Sequence, residues 1–174
     1  MNDNNPSHLL PHITVATIVV RERVAKESIP GENIARENAA RENEFLFVIE
    51  APTGNKVYNQ PAGHMEVKET LFDAAKRETL EETAWHVELK SFLGVSHYHA
   101  PSNGITYIRH SFVADALYHD TTVTLDTDIL DTVWLTYEEI VERRDQLRSP
   151  LVLQDIENFR LGKTYDLNII KAFV

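Results

Sequence analysis

The sequence predicts a mixed-sheet α/β or α+β sandwich, built as a single domain over residues 1–174. Three observations carry that expectation. Runs of β-branched and aromatic residues recur as strands, three segments carry helix signals, and the two kinds do not alternate in the repeating strand–helix order of a doubly wound sheet. With 174 residues, 43% of them hydrophobic and 25% charged, the chain suits one globular domain with a sizeable core.

The elements follow in order. Residues 12–22, "HITVATIVVRE", are rich in β-branched side chains and read as a strand buried on both faces or nearly so. A second strand, "FLFVIEA", starts at Phe45. Between them, residues 24–44 carry a tandem near-repeat, "ARENA" then "ARENE", and read as a polar insertion in a hairpin loop. "PTGNK" is a turn, and "VYNQPAGH" leads a short extended piece into a turn at Gly63. A helix is expected over 69–85. Two long strands, 86–99 and 105–117, are joined by the turn signal "APSNG". "ILDTVWLTY" is a further strand, and "TYEEIVERRDQ" a helix capped by Thr136. The last helix, "SPLVLQDIENFRLG", has Ser149 as N-cap, Pro150 at its first position and Gly162 as its stop.

Composition narrows the function. A formal charge of −10 argues against holding a nucleic-acid polymer by its phosphates, which needs clustered Lys and Arg. Small phosphorylated ligands remain compatible, because a divalent cation reverses the local field. The chain contains no cysteine, which removes disulfides and thiolate chemistry. "MNDNNPSHLL" lacks a basic start followed by an apolar run, and "ITVATIVV" is too short to span a bilayer. A cytoplasmic protein without a membrane partner is expected, as a monomer or homodimer.

The helix after Gly63 has an unusual charge pattern. With Leu71 at zero and roughly 100° per residue, Ala75 falls near 40°, Ala74 near 300° and Trp85 near 320°. Glu78, near 340°, and Glu82, near 20°, share that apolar sector, with Glu81 at its edge near 280°. Carboxylates on a packed face are costly unless something positive meets them. Either they reach solvent at the margin of the stripe, or they serve a hard cation such as Mg2+, which takes carboxylate, carbonyl, water and phosphate oxygens. Gly63 suits the second reading, since glycine lets a backbone carbonyl approach an ion closely.

Gly63, then Glu69 after five residues, Arg77-Glu78 after seven more and Glu81-Glu82 after two together resemble the Nudix box, G-x5-E-x7-R-E-U-x-E-E-x-G-U, with U bulky and apolar. "HITVA", "DTDILDTVW" and "LRSPLV" extend the likeness to the NudJ-type phosphatases of that family, over most of the chain except the N-terminal tail and the 24–44 insertion. The resemblance implies an α/β/α sandwich around a central mixed sheet, and hydrolysis of diphosphates linked to another group with Mg2+ (or Mn2+ in its place). It assigns Glu78 and Glu82 as principal metal ligands, with Glu81 and the Gly63 carbonyl beside them. Glu69 would lie near the metal, and Arg77 would hold the catalytic carboxylates by charge-assisted hydrogen bonds. Asp128 is where some relatives place a loop acid that binds metal or acts as base; a plain turn residue is the alternative.

Two positions depart from the box. Thr79 replaces a bulky apolar residue, and Ala84 stands where a left-handed C-cap favours glycine. Both bear on loop geometry rather than on the ligands.

Candidates for the substrate side are Asn59, Gln60 and His64 around the turn, and Tyr107 and Arg109 on the second long strand. Arg109 either pairs bidentately with phosphate or pairs with a cross-strand acid. His97 and His99 share a sheet face and read as a half-buried, hydrogen-bonded pair, with a metal pair as the alternative. Ser149, at the start of the last helix, either receives an anion or only packs. The substrates implied are nucleoside di- and triphosphates and hydroxymethylpyrimidine diphosphate, with release of orthophosphate. A nucleotide-sugar, ADP-ribose or dinucleoside-polyphosphate pyrophosphatase is the alternative enzyme, and a non-catalytic nucleotide-binding regulatory module the alternative class.

Overall fold

The computed structural model describes residues 10–24 and 41–173. The β-branched run forms β1 (His12–Val24), and the second strand is β2 (Arg41–Glu50). Short strands β3 (Val57–Asn59) and β4 (Ala62–His64) precede α1 (Leu71–Thr83). Two long strands follow, β5 (Trp85–His99) and β6 (Thr106–His119), then β7 (Ile129–Thr136). The chain closes with α2 (Tyr137–Glu142) and α3 (Pro150–Arg160).

The strands form one seven-stranded mixed sheet ordered β3-β2-β1-β6-β5, with β4 on β1 and β7 on β2. β1 lies parallel to β6 and antiparallel to its other neighbours. Alternation along the strands splits the core in two. Val15, Val19, Leu46, Phe112 and Ala114 face Ala74 and Ala75 of α1. Ile18, Phe45, Phe47, Val113 and Leu135 face Ile140 of α2 and Val152 and Ile156 of α3. Helices therefore cover both faces, which is the α/β/α sandwich. No helix among the described residues is long and apolar enough to cross a membrane.

Several boundaries move. The hairpin strands run into both ends of the expected 24–44 insertion, pairing Val24 with Arg41 and Arg21 with Glu44. Cross-strand ion pairs draw that polar sequence into the ladder: Arg21–Glu44 at 2.7 Å, Arg23–Glu44 at 2.9 Å and Arg41–Glu22 at 2.7 Å. The rest of the insertion, 25–40, lies outside the described residues. α1 is shorter than 69–85 because Thr70 caps it, accepting from the Asp73 N–H while Asp73 accepts from the Thr70 N–H. Glu69 thus precedes the helix, and Trp85 already belongs to β5. At the exit Ala84 adopts the left-handed conformation, φ 57 and ψ 16, so the helix does stop where the sequence has no glycine. α2 ends at Glu142 and continues as a 3-10 turn over Arg144–Gln146.

The placement of the Gly63 turn follows from β1. Its one edge pairs with β4 over Thr14–Ala16 and with β2 only from Val20 onward. In the gap, the Thr17 N–H donates to the Pro61 carbonyl at 2.9 Å and fixes the turn against the sheet. The Thr17 hydroxyl donates to the Ala75 carbonyl at 3.3 Å, so the same residue also seats α1.

Candidate active site

The acids of α1 meet the Gly63 turn at close range. A Cβ on residue 63 would lie 2.1–2.2 Å from the Glu78 carboxylate, so only glycine permits this approach. Glu82 turns the same way and accepts the Ala62 N–H at 2.9 Å. Arg77 ties the group together from the outer side. Its Nε donates to Glu69 at 3.0 Å and its Nη2 at 2.7 Å, a two-pronged contact; Nη2 also reaches the His64 carbonyl at 3.0 Å. Nη1 donates to Glu78 at 2.8 Å and to Glu81 at 3.0 Å. One guanidinium thus links the turn, the segment before the helix and the helix itself. Thr79 is fully buried, and its hydroxyl donates to the Ala75 carbonyl, which explains a polar residue at an apolar box position.

The electrostatics divide these carboxylates. Hydrogen bonds from Arg77 hold Glu69 below the ordinary carboxylate range. Burial raises Glu78, with Arg77 opposing and Glu81 and Asp126 adding to the rise. Burial pushes Glu82 up to about 9, against the Ala62 N–H and with the charges of Glu50, Glu78 and Asp126 behind it. Arg77 itself is held firmly protonated by its acceptors.

A cavity of about 220 Å³ opens beside this cluster. It brings together Asn59, Gly63, His64, Glu82, Tyr107 and Arg109, with Tyr98 and Ser149 on its wall. His64 is hydrogen-bonded to His12 at 2.8 Å, and burial with the His12 charge lowers its pKa. The Tyr107 hydroxyl accepts from Asn103 at 2.9 Å. Asn59 donates to Glu50 at 3.0 Å.

Gln60, Arg109, His97 and His99 sit differently from their expectation. Gln60 is fully buried, donating to the Val152 carbonyl at 2.9 Å and accepting from Arg109, and it does not reach the cavity wall. Arg109 pairs with Asp155 of α3 at 3.3 Å, not with an acid of the sheet, yet still borders the cavity. His97 and His99 are exposed rather than half-buried, and His99 bonds only to Thr106, at 3.1 Å. Asp128 is exposed at the turn before β7. The loop acid whose charge reaches Glu78 and Glu82 is Asp126, whose N–H donates to the Glu81 carbonyl at 3.0 Å. Glu50, on the cavity wall, is the acid that spacing missed, and Asp126, exposed like Asp128, acts on the cluster through its charge. Both come from outside α1, and only the path of the chain brings them in.

Among the described residues no three acidic or histidine side chains converge as a ready-made metal cage. Arg77 holds Glu78 and Glu81, and Glu82 is turned to the Ala62 N–H. The donor set nonetheless fits a hard divalent cation: Glu78, Glu81 and Glu82 offer only oxygen, beside a glycine turn with no Cβ in the way.

Residues 30–156 match the model of the NUDIX domain. The chain belongs to the Nudix family. Phosphatase NudJ of Escherichia coli (strain K12) is 33% identical over 163 residues, covering 94% of this chain and 92% of that one. A solved Nudix hydrolase from Nitrosomonas europaea superposes with a TM-score of 0.78 at 32% identity, covering 94% of this chain and 98% of the other. The Nudix domain of Shewanella oneidensis NrtR, solved with ADP-ribose, shares the fold at a TM-score of 0.63 and 14% identity, over 92% and 94% of the two chains. This Nudix protein is accordingly a hydrolase acting on pyrophosphate bonds.

Proposed function

We propose that this Nudix hydrolase is Mg2+-dependent, with Mn2+ able to substitute, and releases orthophosphate from small diphosphate compounds. Nucleoside di- and triphosphates and hydroxymethylpyrimidine diphosphate are the substrates proposed, acted on in the cytoplasm. The observation that carries the reading is Arg77, which gathers Glu69, Glu78 and Glu81 around the Gly63 turn beside a cavity that Glu82 lines. The likeness to a phosphatase over nearly the whole chain favours orthophosphate as the product.

Glu78 and Glu82 would hold the cation, with Glu81 and the Gly63 carbonyl completing the protein's share. When bound, Mg2+ polarises the phosphoryl group and lowers the pKa of an attacking water. The remaining work falls to the chain. Arg77 orients Glu78 and Glu81 by charge-assisted hydrogen bonds. Glu81, with a side chain 44% exposed and one oxygen bonded to Arg77, has its other oxygen open to the site, as a cation ligand or as acceptor of the water's proton. Glu69 anchors Arg77, and Asp126 supplies the loop acid; Asp128 is the second candidate for that part. Tyr107, His64 and Asn59 line the cavity where the rest of the substrate lies.

The test is a product-resolved assay with Mg2+ over a panel of diphosphates. Orthophosphate from nucleoside di- or triphosphates is expected, and Glu82→Gln should abolish it. Turnover confined to dinucleotides or ADP-ribose, with nucleoside monophosphate as product, would replace this reading by the pyrophosphatase one.

A further inference from the structure

The stretch "RSPLV", residues 148–152, is left unused by that mechanism. It delivers Arg148, Ser149 and Leu151 to the wall of the cavity that Gly63 and Glu82 line. Ser149 has the extended backbone of an N-cap, φ −158 and ψ 164, but its hydroxyl makes no cap bond. Pro150 has no N–H, and that of Leu151 lies in the first turn, without an intrahelical acceptor. α3 runs for 11 residues, enough for its aligned peptide dipoles to favour an anion at this end.

An independent observation points to the same ligand. Arg109 of β6 borders the cavity with a side chain only 8% exposed, and its Nε–H has no acceptor among the described residues. Its Nη2 is held by both Gln60 and Asp155. A buried donor left in this way is costly, and an oxyanion relieves it. Arg148 is also incompletely engaged. Its Nε lies 3.5 Å from Glu50, and its side chain is 38% exposed. The backbone here is fixed in advance: the Arg148 N–H donates to the Tyr58 carbonyl at 2.9 Å, and Gln60 holds the Val152 carbonyl at 2.9 Å.

We infer that the start of α3, with the Arg148 guanidinium, the Ser149 hydroxyl, the Leu151 N–H and Arg109 Nε, is a subsite for a phosphate oxyanion. Its occupant is a phosphate of the substrate other than the one attacked beside Gly63 and Glu82. The substrate half rests on the hydrolase reading; the oxyanion half does not. The site selects compounds with at least two phosphoryl groups, because a monophosphate engages only one end of the cavity. Glu50 and Asp155 keep the two guanidinium groups balanced until the more highly charged ligand arrives.

The first probe is inorganic phosphate, titrated calorimetrically into the full chain in EDTA. The wild type binds it, and Arg148→Gln weakens binding about tenfold, the loss of one charge-assisted contact. Arg148→Lys retains part of the affinity, and Ser149→Ala loses about threefold. Glu82→Gln keeps phosphate binding while losing hydrolysis, so a failure of the hydrolase reading and a failure of the subsite are read separately. Kinetics then identify the source of the oxyanion. A rise in KM for a nucleoside triphosphate in Arg148→Gln, larger than any fall in kcat, assigns it to the substrate. Relief of phosphate inhibition at constant KM assigns it to the released product and overturns the substrate half. If Arg148→Gln fails to fold, Ser149→Ala carries the same readouts. No phosphate binding by the wild type up to about 10 mM, or equal affinity in wild type and both variants, overturns the subsite.

Discussion

Arg77 is the residue on which the acid cluster depends. Lysine keeps the charge but loses the fork that reaches Glu69, Glu78, Glu81 and the His64 carbonyl together. Arg77→Lys is expected to lower Mg2+ affinity or turnover by about 10–100-fold, the usual cost of losing a group that orients metal ligands. Initial rates across a Mg2+ titration measure it, and full rescue by high Mg2+ would confine the effect to metal affinity. Glu82 carries the pH dependence. A carboxyl pushed up to about 9 from an ordinary 4.5 binds its proton more tightly in the folded protein than in the unfolded one. Its contribution to stability is therefore complete below about pH 4.5 and is lost as pH rises toward about 9. A cation needs the ionised form, so binding releases a proton, and the rise in melting temperature given by Mg2+ should grow between about pH 6 and pH 9. Melting curves in EDTA and in Mg2+ test both signs, and Glu82→Gln should flatten both. The inward facing of Glu78 and Glu82 was legible from the wheel, because helical periodicity fixes direction whatever surrounds the helix. Gln60 was not legible as a buried brace, because its partners, Val152 and Arg109, lie 92 and 49 residues away.

At the scale of elements, the Thr136 cap was readable, but Thr70 was not expected as a cap and Ser149 makes no cap bond. Thr136 sits where short-range hydrogen bonding puts it, whereas the length of β2 was hidden because cross-strand ion pairs recruit a polar sequence. Among the described residues, two that are not glycine adopt positive φ: Lys68 at 72° and Ala84 at 57°. They are expected to respond differently to glycine. Lys68 is exposed, so relief of about 1–2 kcal/mol of left-handed strain exceeds the added freedom of the unfolded chain, and Lys68→Gly should stabilise by about 0.5–1 kcal/mol. Ala84 is 3% exposed, and removing its methyl also gives up about 0.8 kcal/mol of burial. Ala84→Gly should then fall within about 1 kcal/mol of neutral, which explains how alanine is tolerated at this cap. Urea denaturation of the two variants distinguishes the cases; equal stabilisation would show that the Ala84 methyl contributes nothing.

For the molecule as a whole, the mixed sandwich was legible because each element carries its own period, but the pairing order was not. Nothing local in β1 or β6 says that they run side by side. The far face is tied across layers by Arg109 and Asp155, where burial raises the Asp155 carboxyl against the opposing pull of Arg109 and the Ser111 hydroxyl. Asp155→Asn leaves a buried guanidinium without its counter-charge and should cost about 3–5 kcal/mol in chemical denaturation. Arg109→Met with Asp155→Leu should recover most of that loss, because the burial penalty disappears with both charges. The parallel pairing of β1 has a separate consequence, in time rather than in energy. His12 lies beside Tyr107, a separation of 107 − 12 = 95 residues. At synthesis rates of about 5–20 residues per second, β1 emerges about 5–19 s before its parallel neighbour exists. For that interval "ITVATIVV" is an apolar strand with one edge unclaimed, the state in which nascent chains associate with one another or engage a chaperone.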